Sequence, residues 1–233
     1  MNLFFTEAIA NGYALLTEAE SKHVIQVLRM QVGETIHFVD GKGGYYEGII
    51  QDPHPKKCLL KIEKEEQAFG KRPYSLHLAV APTKNIDRFE WVLEKATEFG
   101  VDRITPILCD RSERKVIKWE RSNRVIVSAM KQSLKAYMPI LDEITPFKKL
   151  INQELIGDKL IAHCDNTPKT ELNIIVKPKQ KYIVLIGPEG DFSPSEISHA
   201  EANNYKSISL GASRLRTETA AISACNSIYY INS

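Results

Sequence analysis

A chain of 233 residues, 43% hydrophobic and 26% charged, is an ordinary globular protein with room for one large domain or two modest ones, and it is not disordered. Its net charge of +2 is too small to name a partner, so any nucleic-acid signal must come from where the charges sit. The cysteines at 58, 109, 164 and 225 have no paired spacing, which argues against a zinc site or a disulfide framework and fits a reducing cytoplasm; with no basic N-region and no apolar run approaching 18 residues, neither secretion nor a membrane span is expected.

Residues 1–16 read as strand and loop. Thr17-Glu18-Ala19-Glu20 is a capping box, and Val24, Val27 and Leu28 follow at helical spacing until about Met30. ETIHFVD, the turn Gly41-Lys42-Gly43-Gly44, YYEGIIQ and KKCLLKIEKEE alternate with period two, as antiparallel strands of a small barrel crossed by one helix do. The polar stretch 64–73, KEEQAFGKRP, reads as a linker. Beyond it the pattern changes. YSLHLAVA is a strand, and NIDRFEWVLEKATEFG places Phe89, Val92, Leu93, Ala96 and Phe99 on one helical face with Gly100 as the stop. RITPILC, KLIAHC (159–164), YIVLIG and SISLG (207–211) read as further strands. Between and after them lie a basic helical stretch to about Lys135, a short helix, and a last helix from about Thr217 to Ile231. Strands alternating with helices imply an α/β domain with a mostly parallel sheet covered on both faces.

The richest stretch is YIVLIGPEGDFSPSEI (182–197). A buried strand stops at Gly187-Pro188, and Ser193-Pro194-Ser195-Glu196 starts a helix with Ser as N-cap, Pro at the first helical position and Glu three residues after the cap. Gly190 lacks a Cβ, so a ligand could pack on bare backbone there; the alternative is a tight turn shaped only by Gly and Pro. Neither a phosphate-binding G-K-S/T loop nor G-x-G-x-x-G is present. LGASRLRTETA (210–220) has the same build, with Arg214 and Arg216 beside a helix start and Thr217 as its expected N-cap. Two such loops after two strands favour a shared pocket at the carboxyl edge of the sheet. His163 ends a strand beside that pocket, whereas His37 and His77 lie within strand patterns and read as structural. From Arg111 to Lys135 eight lysines and arginines face only Glu113 and Glu120, a concentration that a phosphate backbone would reward or that a solvated helix face would carry. Trp119 and Tyr137 could stack on bases there or bury in the core.

GPEGDFSPSEI followed by LGASRLRTETA resembles the two signature stretches of the RsmE family, the 16S ribosomal RNA uracil-N3 methyltransferases. His23 with Val27-Leu28-Arg29, the run from Lys84 to Val101, and Gln132-Ser133 extend the resemblance over nearly the whole chain. The chain departs from the family at Asp191, often Gly there; at Ala212-Ser213, often Pro-Arg; and at Lys131 and Lys135, often Glu and Arg. The resemblance implies a PUA-like RNA-binding β-barrel over 1–70 and a SPOUT methyltransferase domain with a trefoil knot over 71–233. It also implies a homodimer, S-adenosylmethionine as cofactor, no metal, and N3 of a uridine in the 16S RNA of the small ribosomal subunit as the target.

On the same ground His163, Ile186, Gly187, Glu189, Gly190, Leu210, Gly211, Leu215 and Thr217 are the expected cofactor-binding residues. Arg216 and Glu218 are the expected catalytic ones. His23, Arg29, Lys84, Arg111, Arg114 and Arg214 are expected to meet RNA. Glu189 and Glu218 are the carboxylates from which a general base would come. A competing reading keeps the barrel and the basic run but makes the chain a non-catalytic RNA-binding assembly factor. A nucleotide-phosphate enzyme ranks last, because the usual lysine and Mg²⁺-binding carboxylates are missing.

Overall fold

The computed structural model describes residues 2–233; Met1, part of the strand-and-loop segment expected over 1–16, lies outside the described residues. The chain forms two compact units, one of the N-terminal part to Lys71 together with Val127–Met138, the other of Arg72–Ile126 and Pro139–Ser233.

In the first unit, β1 (Leu3–Phe5), β2 (Ile9–Ala10), β3 (Tyr13–Leu15), β4 (Thr35–Val39), β5 (Tyr45–Asp52) and β6 (Leu59–Glu66) make one sheet in the order β1-β4-β5-β6-β3-β2. The three long strands pair antiparallel, as their alternation requires, while β1 adds on parallel to β4. Phe4, Phe38, Ile50 and Leu60 bury on one face, and Val24 joins them from the crossing helix. That helix, α1 (Glu18–Lys22), is capped by Thr17, whose side chain accepts from Glu20 N, and then widens into a π turn at His23–Val27. Arg29, just beyond it, sits at φ 57°, an uncommon conformation for a residue with a Cβ.

The segment 127–138, placed in the second domain by the sequence reading, groups with the first unit. Its apolar side chains explain this, since Met130 and Ala136 bury against Leu3 and Val39. Lys131 Nζ also meets the mostly buried carboxylate of Glu20 at 2.6 Å. Tyr137 lies against Gly43, in the space that a side chain there would need, so its ring packs within this unit.

The second unit has strands β7 (Ser75–Val80), β8 (Arg103–Leu108), β9 (Ile140–Leu141), β10 (Thr145–Pro146), β11 (Asp158–Ala162), β12 (Thr170–Glu171), β13 (Lys181–Ile186) and β14 (Lys206–Ser209). Every pairing is parallel, in the order β10-β8-β7-β13-β11-β14-β12, with β9 beside β8. Central strands of a parallel sheet are covered on both faces, and β13 is accordingly buried from Tyr182 to Ile186. Helices α2 (Ile86–Phe99), α3 (Trp119–Gln132), α4 (Phe147–Ile151), α5 (Leu172–Ile175), α6 (Pro194–Ala202) and α7 (Thr217–Ile231) complete the fold. Helix α2 starts on the Asn85 side chain, stops at Gly100 with φ 78°, and packs on α7. On the opposite face α4 and α6 set Phe147, Leu150, Ile197 and Ala200 against Ile161, Ile183 and Leu185. The two-residue strands and α4 and α5 escaped the sequence reading because elements that short carry no periodicity.

His77 is structural, as its place in a strand pattern suggested. Arg103 holds Asp142 through two hydrogen bonds of 2.7 and 2.8 Å, and Thr105 donates its hydroxyl to the same carboxylate. The Thr105 oxygen therefore accepts from His77 Nε2–H, 2.6 Å away. Burial, reinforced by Arg103 and opposed by Asp142, lowers the His77 pKa to about 4. Between the unfolded value of roughly 6.5 and that of the fold, only the unfolded chain takes up the proton. Stability should fall as pH drops from about 6.5 toward 4 and lose this component fully below it. Urea midpoints measured across that range should show a steeper decline for the wild type than for His77→Gln; parallel curves would contradict the assignment.

Candidate cofactor and active site

The three adjacent strands β13, β11 and β14 end at one level. Ala162 pairs with Ile186 on one side and with Ile208 on the other, so the chain leaves all three strands at the same edge of the sheet. The loops that follow enclose a cavity of about 590 Å³, within the range of small-molecule sites. Eight of the nine expected cofactor residues line it: His163, Ile186, Gly187, Glu189, Leu210, Gly211, Leu215 and Thr217. So do Arg216 and Arg214.

Gly190 does not. It belongs to a neighbouring depression of about 370 Å³, which shares Cys164, Asp191 and Arg214 with the cavity. Its open side meets Arg111, whose Cβ would lie 3.2 Å from an added Cβ, and its carbonyl accepts from Arg111 Nη1 at 2.9 Å. The bare face of Gly187 is likewise taken by Phe192, with ring atoms 3.1 and 3.2 Å from where a Cβ would stand. Each glycine serves close packing of the loop. Gly211, at φ 116° with nothing within 4 Å, is the glycine whose free side is open.

Thr217 is the first residue of α7 and not its N-cap. Arg216 holds the cap position without a side-chain hydrogen bond, because the Thr217 hydroxyl donates to Gly187 O at 3.0 Å and ties the last helix to the β13 loop. The start of α7 is left without a side-chain cap where Thr217 and Ala220 line the cavity. The side chains of Arg214 and Arg216 are exposed and, among the described residues, make neither a hydrogen bond nor an ion pair.

The two carboxylates considered as bases are otherwise engaged. Glu189 Oε1 accepts from Lys84 N at 2.9 Å. Glu218 is buried outside the cavity lining, with Oε1 3.6 Å from Arg88 Nη1 and Oε2 without a partner.

Of the residues expected to meet RNA, Arg114 donates to the carbonyls of Thr83 and Lys84, and Arg111 to those of Gly190 and Phe192. Lys84 pairs with Glu113 at 2.8 Å on an exposed surface. His23 and Arg29 lie in the first unit, at the π turn and just past it, and His23 makes an edge contact with Phe4. The basic run is thus partly spent on the fold, with Arg121 on Glu90 as well. Trp119 donates its indole N–H to Leu141 O at 3.0 Å.

Two charged cavity residues, Lys169 and Asp191, were not singled out as ligands. Lys169 lies in a polar loop that gives no sequence signal. Asp191 did carry one, as a departure at a family glycine. Its φ is 65°, a region Gly favours and Asp tolerates. Its carboxylate accepts from Cys164 N and Phe192 N, both at 2.8 Å, and so joins the loops after β11 and β13. His163 is 8% exposed. Burial, then the charge of Lys169, holds its imidazole below the usual pKa against the opposing pull of Asp191, Asp165 and Glu201.

Among the described residues no group of three His, Cys, Asp or Glu is placed to hold a metal ion, and no helix is long and apolar enough to cross a membrane.

Residues 70–229 match the family model of the RNA methyltransferase domain, and residues 16–63 that of the RNA methyltransferase PUA domain. The ribosomal RNA small subunit methyltransferase E of Aquifex aeolicus is 30% identical over 96% of this chain and 96% of its own. A crystal structure of a probable rRNA-methyltransferase from Porphyromonas gingivalis has a TM-score of 0.92 at 37% identity, covering 100% of this chain and 98% of that one. A Legionella pneumophila protein described as a methyltransferase, solved with bound S-adenosylmethionine, has a TM-score of 0.86 at 26% identity, covering 99% and 97%. By the family models and these relatives, the chain belongs to the RsmE family of RNA methyltransferases.

Proposed function

We propose that the chain methylates N3 of a uridine in the 16S RNA of the small ribosomal subunit, with S-adenosylmethionine as donor. The observation that carries this is the cavity itself, where three loops leave neighbouring parallel strands at one level and two unpaired arginines stand on the wall. Its volume and its lining by both apolar and polar residues fit a small molecule with both polar and apolar parts. The uncapped start of α7 favours a carboxylate such as that of the methionine moiety. When bound, the cofactor supplies a methyl group open to direct displacement.

The chain's own task is alignment and charge. His163, Ile186, Gly187, Leu210, Gly211, Leu215 and Thr217 hold the donor, with Glu189 supporting the loop from its bond to Lys84. The adjoining depression, sharing Asp191, Cys164 and Arg214 with the cavity, suits an unstacked nucleotide whose phosphate Arg214 meets. Loss of the N3 proton to water leaves negative charge on the uracil oxygens, and Arg216 is the group placed to stabilise it. Glu218, away from the cavity lining, supports the start of α7 and does not take the proton in this reading.

The first unit would present His23 and Arg29 to RNA, with the PUA-like domain assigned to 1–70 and the knotted SPOUT domain to 71–233. A homodimer working in the cytoplasm completes the proposal. Membership of an RNA methyltransferase family favours turnover over the non-catalytic assembly factor. Mass spectrometry of 16S RNA from cells with and without the protein is expected to show one methyluridine that disappears with it. Unchanged RNA, together with no calorimetric binding of S-adenosylmethionine, would support the assembly factor instead.

A further inference from the structure

Asp191 stands where two spaces meet. The cavity and the adjoining depression have Cys164, Asp191 and Arg214 in common, and among the described residues Asp191 is the one carboxylate that lines both. Glu189 lines only the cavity and Asp165 only the depression. Asp191 is half-buried and makes no ion pair among the described residues, although Lys169, Arg214 and Arg216 line the same cavity. Main chain holds it instead: Oδ2 accepts from Cys164 N and Oδ1 from Phe192 N, each at 2.8 Å. A carboxylate has about four acceptor sites on its two oxygens, so these bonds fix its position and leave its charge without a counter-charge. Methyl transfer requires the donor sulfur and the accepting nitrogen to approach closely. With the donor in the cavity and the nucleotide in the depression, the reacting methyl group lies near their shared border. A sulfonium there is a fixed positive charge, which the cations of the wall oppose.

Resting on the methyl-transfer reading above, we infer that Asp191 is a specificity-determining residue whose carboxylate meets the positive charge of the donor's sulfonium, so that the site prefers S-adenosylmethionine to the neutral thioether S-adenosylhomocysteine. When the methyl group leaves, the C–S electron pair stays on sulfur and the charge that Asp191 attracts is gone. The same carboxylate therefore holds the donor and releases the product. Arg214, at the same border, is exposed and screened by solvent until a phosphate meets it, so it does not cancel the attraction. Because the sulfonium charge fades during transfer, Asp191 acts on the bound ground state and not on the transition state.

The test is calorimetric titration of the full chain with S-adenosylmethionine and, separately, S-adenosylhomocysteine, in wild type, Asp191→Asn and Asp191→Gly. The quantity that decides is the ratio of the two affinities. Loosening of the loops after β11 and β13, which either substitution brings, weakens both ligands alike and leaves the ratio where it was. Loss of the charge weakens only the cation. Both variants should shift the ratio toward S-adenosylhomocysteine by about fivefold, the scale of one half-exposed pair of charges. Gly adopts φ 65° without strain, so Asp191→Gly keeps the test available if Asp191→Asn fails to fold. Steady-state rates give a second reading: Asp191→Asn should raise KM for the donor and sharpen inhibition by S-adenosylhomocysteine, with kcat within about twofold of wild type. An unchanged affinity ratio in the variants overturns the inference, makes Asp191 a loop clasp only, and spares the methyl-transfer reading. Absence of binding of either ligand to wild type overturns both.

Discussion

Replacing Arg216 by Ala is expected to reduce methyl transfer by about 10²–10³-fold while leaving cofactor affinity within about twofold of wild type, because a preorganised charge aimed at developing anionic oxygen acts in the transition state more than in binding. The geometry favours this split. Arg216 is exposed, caps α7 through its backbone conformation alone, and has no side-chain partner among the described residues, so its loss should cost the fold little. Most of the cavity lining comes from other residues of the three loops, which the substitution does not alter. Arg216→Lys should recover only part of the rate, since an ammonium is a point charge and lacks the planar fork of a guanidinium. Arg214→Ala should behave differently. It should weaken RNA binding and flatten its salt dependence, as the loss of one phosphate contact does, with a smaller change in turnover at saturating RNA. Single-turnover rates at saturating cofactor and RNA, beside calorimetry with S-adenosylhomocysteine, check the pair. Wild-type rates in Arg216→Ala would remove it from the mechanism.

What could be read from the chain beforehand was its local chemistry. The capping box at Ser193 and Glu196 is present with both of its hydrogen bonds, because it is written in residues three apart. The Gly100 stop is real for the same reason. Pairing across the sheet is a different matter. That β13 lies between β7 and β11 depends on contacts some hundred residues apart in one case, and no periodicity encodes them. The shared pocket could therefore be argued only from two similar loops, and the level register of Ala162, Ile186 and Ile208 emerges from the fold.

The misplacements follow the same line. Thr217 looked like an N-cap until its hydroxyl found a carbonyl thirty residues away. Gly190 looked like a ligand floor, but Arg111, from the loop after β8, occupies its face. A glycine announces a close approach without naming what approaches. The basic run shows the limit for charge: the count was legible, whereas the bonds to Glu90, Glu20 and main-chain carbonyls were not.

A buried carboxylate that holds the cavity loop from behind leads to the second large effect. Glu196, 3% exposed, accepts from Ser193 N at 2.8 Å with one oxygen and from Asp110 N at 2.9 Å with the other. It thereby joins the start of α6 to the loop after β8, and Ser193 Oγ reinforces the junction by donating to Asp110 at 2.7 Å. Between these anchors and β13 runs the 187–192 loop that walls the cavity. Glu196→Ala leaves two N–H groups without their charged acceptor, at about 1–3 kcal/mol each, so a loss of about 3 kcal/mol is expected. For a chain of this size that corresponds to a thermal midpoint lower by roughly 6–12 °C. Glu196→Gln should lose about half as much, because its amide oxygen serves one N–H while its NH₂ opposes the other. Both variants should also weaken S-adenosylhomocysteine binding in proportion to their instability, since the loop they loosen carries Gly187 and Asp191. Differential scanning calorimetry with and without that ligand measures the two effects together, and a midpoint for Glu196→Ala within 2 °C of wild type would show that water or a neighbouring side chain replaces the carboxylate (roughly the shift of a single exposed substitution).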